Sequence, residues 1–352
     1  MRRDLCWLFG WLLLASMASH AATEPEPWKI GVLYWSDSIP SQQVMRQGLE
    51  QEAERINQQA SATGQRGIRL LARVAGDGPK GIERQVWQMR MMVDNSRPDA
   101  IIIQPTDNAA LAEPVQRANL AGIPVIAYDQ FVSDGVLASY ITSDNYQAGY
   151  LGGEYIASLF ARERPLRLVL VEYPVVSSTV ERVNGFFDAL DAAGVEYQIM
   201  RSYQAVQPDE GRQAAHALLR DFPDKGSVDV LFTVNNGGGL SMIEQLRQAG
   251  RTEIVHATVD GDPESVDNIR YGRLTRIDSA QFCAMLGATA VRQVYRVLNG
   301  RQVARHVMIP TFPVTRETLD IYPGWDGDLP ATFNKPWPSV TKQWRNQLRE
   351  DD

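Results

Sequence analysis

The feature that most restricts the fold of this chain is an alternation of short apolar runs with segments of helical period, from Trp28 onward. The runs are rich in Val, Ile and Leu, and most lack the apolar–polar alternation of a strand with one solvated face. They cover residues 30–34, 68–72, 100–103, 125–128, 166–171, 230–232, 254–259 and 274–277. Apolar runs of this length predict parallel strands that helices cover on both faces.

The segments between the runs carry the pattern of amphipathic helices. In the first of them, Met45, Leu49, Ala53 and Ile56 fall on one face, and polar residues fall opposite. A later helix is expected over residues 148–160. It is opened by Asp144, whose carboxylate can accept hydrogen bonds from the free N–H groups of the first turn.

The order of these elements predicts two lobes. Repeated strand–helix–strand units imply right-handed crossovers and an open, doubly wound sheet. One series of strands ends near residue 128 and a second begins near residue 166, and 352 residues exceed the usual size of one compact core. We therefore predict an α/β fold with two doubly wound parallel-sheet lobes.

The first residues have the layout of a secretory signal peptide. A basic start, Met1 to Asp4, precedes an apolar run from Leu5 to Met17 and a small-residue cleavage pattern that ends at Ala21. The apolar run is shorter than the roughly 20 residues that a membrane-spanning helix needs. We expect residues 1–21 to be cleaved and the mature protein to be soluble and periplasmic.

Composition limits which partners the protein can bind and which chemistry its cysteines can perform. The hydrophobic fraction of 44% is that of a folded chain, and the net charge of −7 argues against a nucleic-acid or anionic-membrane surface. Cys6 would leave with the signal peptide, so Cys283 is expected to be a lone, buried and unreactive thiol.

Polar and aromatic residues follow the ends of several predicted strands. In doubly wound sheets, ligands bind beyond the carboxyl ends of the strands, where the loops converge. The residues that we single out there are Trp35, Gln104, Asp129, Arg182, Asn235, Asp260 and Gln281. Carboxylates, amides, a guanidinium and an aromatic face together suit a polyhydroxyl ligand.

The motifs of catalysis and of cofactor binding are missing from the sequence. It contains neither the His-Glu-x-x-His pattern of zinc hydrolases nor a Gly-x-Ser-x-Gly nucleophile elbow. The triplet Gly237–Gly239 lacks the spacing of a phosphate loop and is expected to permit close backbone packing or a tight turn. Asp260 and Asp262 lack the spacing of a calcium loop. We predict binding without turnover, and no metal or cofactor.

Six short motifs in collinear order carry a family resemblance. They are residues 104–110, residues 121–129, residues 142–145 with Gly149, residues 181–186, Asn235 after the run at 230–232, and residues 259–261. In these motifs the chain resembles the ribose/galactose-type periplasmic sugar-binding proteins, over nearly all of its length after the signal peptide. The resemblance implies the type I periplasmic binding protein fold, in which three hinge strands join two lobes.

The resemblance also implies where the chain passes between the lobes. The crossings would lie near Thr142 and Ser143, near Gln281, and at residues 309–312. The N-terminal lobe would then hold residues 28–142 plus 282–309, and the C-terminal lobe with a tail would hold residues 143–281 plus 310–352.

Carried over position by position, the resemblance implies which residues contact the ligand. They are Gln104, Asp129, Arg182, Asn235, Asp260 and Gln281. The two carboxylates would accept from sugar hydroxyls, Arg182 would donate across the cleft, and the amides can do both.

The chain departs from the family pattern at several places. Ser41 and Gln42 stand where the ribose binder has stacking aromatics, so Trp35 or Tyr34 would have to supply the aromatic face. Two further departures are Gln130, in place of a common Arg, and Asn236, in place of a common acid. The binding architecture therefore transfers to this chain, whereas pentose specificity does not.

Each of these residues also has a structural alternative. Asp129 and Asp260 can cap turns, and Arg182 can be a charge on a helix surface. Gln104 can be a turn residue, and Trp35 can be an aromatic on the rim of a lobe.

Two functions follow from a ligand-closed hinge, and a third is excluded. The first is a monomeric receptor that delivers a small molecule, a monosaccharide by the resemblance, to the membrane permease of an ABC importer. The second is a co-receptor for a membrane sensor kinase, cyclase or chemoreceptor. A sugar-responsive transcriptional regulator would need a DNA-binding segment and a basic surface, which this sequence lacks. The C-terminal tail, residues 312–352, contains Trp325, Trp337 and Trp344 and is either a docking strap or a segment that packs on the second lobe.

Overall fold

The computed structural model describes residues 25–160 and 164–351. The predicted signal peptide at residues 1–21, with Cys6, lies outside the described residues, so its cleavage stays a prediction. Among the residues described, no helix combines the length and hydropathy that crossing a bilayer requires.

The strands follow the predicted order, with additions. They are β1 (Trp28–Tyr34), β2 (Ile68–Val74), β3 (Ala100–Ile103), β4 (Val125–Tyr128), β5 (Ser139–Ser143), β6 (Leu166–Glu172), β7 (Tyr197–Gln204), β8 (Val230–Thr233), β9 (Val255–Asp260), β10 (Thr275–Ala280), β11 (His306–Ile309), β12 (Phe312–Val314), β13 (Phe333–Asn334), β14 (Gln343–Trp344) and β15 (Arg349–Asp351). Each of the eight predicted runs overlaps one of these strands, and the bounds of β3 and β4 agree to the residue.

Helices lie between the strands. They are α1 (Pro40–Thr63), α2 (Gly78–Met91), α3 (Ala112–Leu120), α4 (Asn145–Leu159), α5 (Ser177–Ala192), α6 (Pro208–Asp221), α7 (Asn236–Gln248), α8 (Pro263–Arg270) and α9 (Cys283–Leu298). A π-helical turn, Met92–Ser96, extends α2, and a 3-10 turn covers Leu319–Ile321.

Two sheets form the frame of the two lobes. The first has the order β15-β11-β5-β4-β3-β1-β2 and the second has the order β12-β10-β9-β8-β6-β7. Every neighbouring pair is parallel except β11 with β15 and β10 with β12. In each sheet the strand order reverses beside its first strand, β1 or β6, which makes a switch point of the kind where ligands bind. The predicted doubly wound α/β fold is confirmed.

The chain passes between the sheets four times. It leaves the first sheet after Ser143, returns after Ala280, leaves again between Ile309 and Phe312, and returns once more in the tail. In the tail, β15 pairs with the free edge of β11 in the first sheet, although the sequence prediction gave all of residues 310–352 to the second lobe. Antiparallel pairing there covers an otherwise exposed strand edge, which accounts for the return of the tail.

Local sequence explains how the helices are placed. Met45, Leu49, Ala53 and Ile56 of α1 are all buried, as their spacing predicts, and α1 packs against α9. Asp144 caps α4, since its Oδ1 accepts a hydrogen bond from the N–H of residue 147 at 2.9 Å. The same helix then approaches α5 closely. A Cβ built at position 149 would lie 1.8 Å from a backbone oxygen of α5, so only glycine fits there.

Candidate ligand-binding site

A small cavity lies where the carboxyl ends of strands from both sheets converge. Its volume is about 30 Å³, which is room for about two water molecules. The side chains that line it are Trp35, Ile39, Ser41, Gln42, Met45, Asp129, Gln130, Val176, Ser178, Thr179, Arg182, Val206, Asn235, Asp260 and Gln281. Six of the seven residues singled out from the sequence therefore meet at one cavity, and Gln104 lies just outside it.

Asp129 forms the charged part of the first-lobe wall. It follows β4, has a φ of +66°, and is only 4% exposed. Its Oδ2 accepts a hydrogen bond from Gln104 Nε2 at 2.9 Å. Burial raises the pKa of the Asp129 carboxyl above its ordinary value, and the Gln104 hydrogen bond opposes that rise.

Gln104 supports the first-lobe wall from behind. Its Oε1 accepts the backbone N–H of Trp35 at 3.2 Å, while its Nε2 holds Asp129. Gln85 in turn donates to the Gln104 carbonyl at 2.8 Å. In this structure the side chain therefore joins Trp35 to Asp129 and is not among the residues that line the cavity, so the ligand contact that the resemblance implies for Gln104 stays a prediction.

Asp260 is the corresponding carboxylate of the second-lobe wall. It ends β9 with a φ of +127°. Its Oδ1 accepts from Arg182 Nη1 at 3.1 Å and from Gln281 Nε2 at 2.6 Å. Its Oδ2 accepts the N–H of Asn236 at 3.2 Å. Burial raises the pKa of the Asp260 carboxyl to about 6, against the opposing charge of Arg182.

Arg182 is a buried side chain that is bound on several sides. Its Nε donates to Asn145 Oδ1 at 2.9 Å, and its Nη1 donates to the Val234 carbonyl at 2.8 Å as well as to Asp260. The residue is 3% exposed, so the alternative of a charge on a helix surface is wrong. A guanidinium held in this way is oriented before any ligand arrives.

Asn235 and Gln281 join the site to the backbone around it. Asn235 caps α7, because its Oδ1 accepts the Gly238 N–H at 3.2 Å, and its Nδ2 donates to the Val206 carbonyl at 3.0 Å. Gln281 lies at a crossing between the lobes, where its Oε1 accepts from Ser143 Oγ at 2.8 Å. Both residues line the cavity and serve structural roles at the same time.

Trp35 is the aromatic residue that lines the cavity. Tyr34 points the other way, since it is buried in the first-lobe core and its hydroxyl donates to Glu50 at 3.4 Å. Gln42 faces the same cavity and accepts the Ser36 N–H at 3.0 Å. Of the two aromatics considered from the sequence, only Trp35 is placed to cover a ligand face.

Several lining residues were not singled out from the sequence. They are Ile39, Ser41, Gln42, Met45, Gln130, Val176, Ser178, Thr179 and Val206. Three of them, at positions 41, 42 and 130, could have been identified from the sequence, because they differ from the family pattern at places where the family contacts its ligand. The others lie on helix starts and loops whose approach to the cleft depends on the packing of both lobes.

The two lobes touch each other beside the cavity. Gln130 Oε1 accepts the Ser178 N–H at 3.4 Å, and the Phe131 N–H donates to Ser177 Oγ at 3.4 Å. These contacts join the loop after β4 to the start of α5 and close the cleft. A molecule of monosaccharide size would enter only if side chains moved or the lobes parted, because about 30 Å³ is too little room for it.

Other chemistry finds no support in the described residues. Within residues 25–160 and 164–351, no group of three His, Cys, Asp or Glu side chains is arranged to hold a metal ion. Cys283 is buried, as predicted, and burial raises the pKa of its thiol well above the ordinary value. At Gly237 an added Cβ would lie 2.3 Å from the Val206 carbonyl, which confirms close backbone packing as the role of that glycine.

Comparison with known proteins finds relatives of this chain and solved structures with a similar fold. The chain is 31% identical over 204 residues to the ribose import binding protein of Escherichia coli strain K12, covering 58% of this chain and 67% of that protein. A periplasmic solute-binding protein of an ABC transporter from Actinobacillus succinogenes, solved with D-allose, superposes with a TM-score of 0.70 at 22% identity, covering 84% of this chain and 100% of that one. The myo-inositol-binding protein of Caulobacter gives a TM-score of 0.72 at 21% identity, covering 85% and 96%.

The family assignment itself rests on the model of the periplasmic binding protein domain. That model matches residues 30–302, which contain all of the residues singled out for the site. The match covers well over half of the chain, so the protein belongs to the periplasmic binding protein family.

Proposed function

We propose that this protein captures a small sugar or sugar-like molecule in the cleft between its lobes and delivers it to the permease of an ABC importer. The observation that carries the proposal is the meeting of Asp129 from one lobe with Arg182 and Asp260 from the other at one cavity. The relatives support it, because those compared are named as a ribose import binding protein, a solute-binding protein with bound D-allose and a myo-inositol binding protein.

The proposed mechanism is closure driven by differential affinity. A ligand shifts the balance between open and closed lobes only as far as it binds one form better than the other. A polyol that donates to Asp129 and also contacts Arg182 and Asp260 makes both sets of contacts only when the cleft is shut. The proposed cycle of capture and delivery contains no chemical step, so the ligand would be released unchanged.

Location and partners follow from the same proposal. Export after cleavage of residues 1–21 would place the protein in the periplasm as a monomer, beside the permease. The alternative role as a sensor co-receptor was based on the unusual loop after the first strand and on a free tail that acts as a docking strap. Trp325, Trp337 and Trp344 are all at most 8% exposed, so the tail lends that alternative no support.

Calorimetry and thermal shift with D-ribose, D-allose and myo-inositol test the proposal. A ligand at a hundredfold excess over its Kd stabilises the folded protein by about 2.7 kcal/mol, which raises Tm. Asp129→Asn should raise the Kd of the ligand by about 10- to 100-fold, as expected for the loss of a hydrogen bond to a charged group. Asp94→Asn, which breaks only an exposed ion pair with Arg117, is the matched control. Failure of the wild type to bind any sugar or polyol of a wider panel would overturn the proposal.

A further inference from the structure

The tail lies outside the part of the chain that the family model matches, yet it contacts the candidate site. Its three buried indoles each donate one hydrogen bond. Trp337 Nε1 donates to Glu154 Oε2 on α4 at 3.1 Å, and Trp344 Nε1 donates to the Thr311 carbonyl at 2.6 Å. Trp325 Nε1 donates to the backbone carbonyl of Asp260 at 2.5 Å. Only the last of these three bonds ends on a residue that lines the cavity.

The turn that Trp325 contacts holds a strained conformation. Asp260 has a φ of +127°, which is rare for a residue other than glycine and costs about 1–3 kcal/mol unless its surroundings impose it. Gly261 follows with a φ of +86°. Such a conformation persists only where neighbouring groups fix the backbone on several sides, and at this turn the neighbours can be identified.

The backbone groups of the turn are held from three directions. Asp278 Oδ1 accepts the N–H of Gly261 at 2.8 Å, from inside the second sheet. Tyr322 of the tail donates its hydroxyl to the Gly261 carbonyl at 3.2 Å. An added Cβ at Gly261 would lie 2.5 Å from that hydroxyl, which shows how closely the tail packs on the turn. The Asp260 carbonyl accepts the N–H of Gln281 at 2.9 Å as well as the indole N–H of Trp325. Two of the four hydrogen bonds to the turn therefore come from Asp278 and Gln281, and the other two come from Tyr322 and Trp325 of the tail.

Trp325 also ties the turn to the other lobe. Its carbonyl accepts the N–H of Ala284 at 3.1 Å, in the first turn of α9. That helix packs on α1 in the first lobe, and the chain enters it directly after the hinge residue Gln281. Trp325 thus connects the carboxylate-bearing turn of the second lobe to the first-lobe side of the hinge.

We propose that Tyr322 and Trp325 are positioning residues for the candidate site, which fix the Asp260–Gly261 turn and thereby set where the Asp260 carboxylate meets Arg182 and the ligand. The proposal rests on the function proposed above for that site. Neither side chain lines the cavity, so both act through the backbone of the turn. The tail is then a part of the binding site's support that the matched domain does not supply.

Trp325→Phe and Trp337→Phe form a matched pair of variants. The two indoles are 8% and 7% exposed, and each substitution removes one N–H donor and leaves an aromatic ring. We expect both variants to lower Tm to a similar extent. Trp325→Phe should weaken binding of the best sugar or polyol by about tenfold, the effect of losing one net hydrogen bond, and Trp337→Phe by less than twofold. Tyr322→Phe should fall between them. Equal affinities in all three variants would overturn the proposal.

A ligand-independent readout separates this proposal from the proposed function. The Asp260 carboxyl can be titrated by ¹³C NMR, with the signal assigned by Asp260→Asn. Loosening the turn admits water, so the pKa of Asp260 should move down from about 6 toward its ordinary value of 3.8 in Trp325→Phe and stay unchanged in Trp337→Phe. If no sugar binds the wild type but this shift is seen, the proposed function fails and the positioning role stands. An unchanged titration in Trp325→Phe rejects the positioning role.

Discussion

The two carboxylates of the site occupy equivalent places in the two lobes but have different surroundings. Asp129 directly follows β4 and Asp260 is the last residue of β9, and both have positive φ and are nearly fully buried. Asp260 is paired with Arg182 and receives further hydrogen bonds from Gln281 and from a backbone N–H. Among the described residues Asp129 forms no direct ion pair, and its carboxylate accepts a hydrogen bond from the neutral amide of Gln104.

This difference assigns different tasks to the two walls of the cleft. A carboxylate whose partners are already in place changes little when a ligand arrives, so the second-lobe wall is preorganised. A buried carboxylate with spare acceptor capacity gains more from a ligand hydroxyl, because the alternative is an undersatisfied charge. We therefore expect Asp260 to govern the stability of the second lobe and Asp129 to govern the gain in affinity on closure.

Removing Arg182 should produce the largest effect on stability. Arg182→Ala leaves Asp260 buried without its counter-charge, and breaking a buried pair from one side costs about 3–5 kcal/mol. Urea unfolding measures the loss. Arg247→Ala, which removes an exposed i,i+3 pair with Glu244, should cost less than about 1 kcal/mol. Similar losses in the two variants would mean that the second-lobe wall is not held together by this pair.

The pH dependence of stability should be dominated by the second lobe. Burial raises the pKa of Asp278 to about 7 and that of Asp260 to about 6, both from an ordinary 3.8. Between pH 4 and pH 7 the folded state therefore binds more protons than the unfolded state, and the free energy of unfolding falls as pH rises.

Asp278→Asn sharpens that prediction by removing one of the two groups. The variant keeps an oxygen that can accept the Gly261 N–H, so the turn is preserved. It should be more stable than the wild type near pH 8, and its free energy of unfolding should change less between pH 5 and pH 8. The titratable groups that interact with Asp278 are Asp260 and Tyr322, and its polar neighbours are Ser265 and Asn236. Arg276 on the same strand is bonded to the Arg273 carbonyl. Thermal melts over this range compare the variant with the wild type, and an unchanged profile would exclude Asp278 as the source.

The fold was largely readable from the sequence because its central strands are buried on both faces. Strands β3 and β4 contain only buried apolar residues and were predicted to the residue. The edge strand β7 was not predicted. Its residues, Tyr197–Gln204, are mostly polar and none is buried, so the segment shows neither the two-residue alternation of a strand nor the 3.6-residue period of a helix. Strand β5 was missed for a related reason, because its buried positions hold Ser, Thr and Tyr side chains bonded to neighbouring loops.

The sequence indicated which residues belong to the site better than it indicated which of them bond to each other. Arg182 and Asp260 are 78 residues apart in the chain, and no pattern in either segment indicates that they pair. Gln104 was identified, but its place behind Asp129 depends on the rotation of one side chain within a packed wall. The role of the tail was open for the same reason, since tertiary contacts alone decide where its tryptophans are buried.

Gln104→Leu tests the first-lobe wall with a smaller expected effect. The substitution keeps the bulk of the side chain but removes the donor to Asp129 and the acceptor for the Trp35 N–H. Loss of the donor raises the pKa of Asp129 further and leaves buried polar groups unpaired, at a cost of about 1–3 kcal/mol. Sugar affinity should fall together with stability, and calorimetry and urea unfolding measure the two losses. An affinity equal to that of the wild type would show that Asp129 does not depend on Gln104.

Asn235 should give the smallest effect, and it separates capping from ligand contact. Asn235→Ser retains a side-chain oxygen that can cap α7, so stability should change by a few tenths of a kcal/mol, whereas Asn235→Ala should lose about 1 kcal/mol. Because both ends of the Asn235 amide are already bonded to the protein, the two variants should weaken sugar binding to the same small extent. A large loss of affinity in Asn235→Ser at unchanged Tm would instead make Asn235 a direct ligand contact. The second-lobe wall would then share the ligand-dependent role that the structure gives to Asp129.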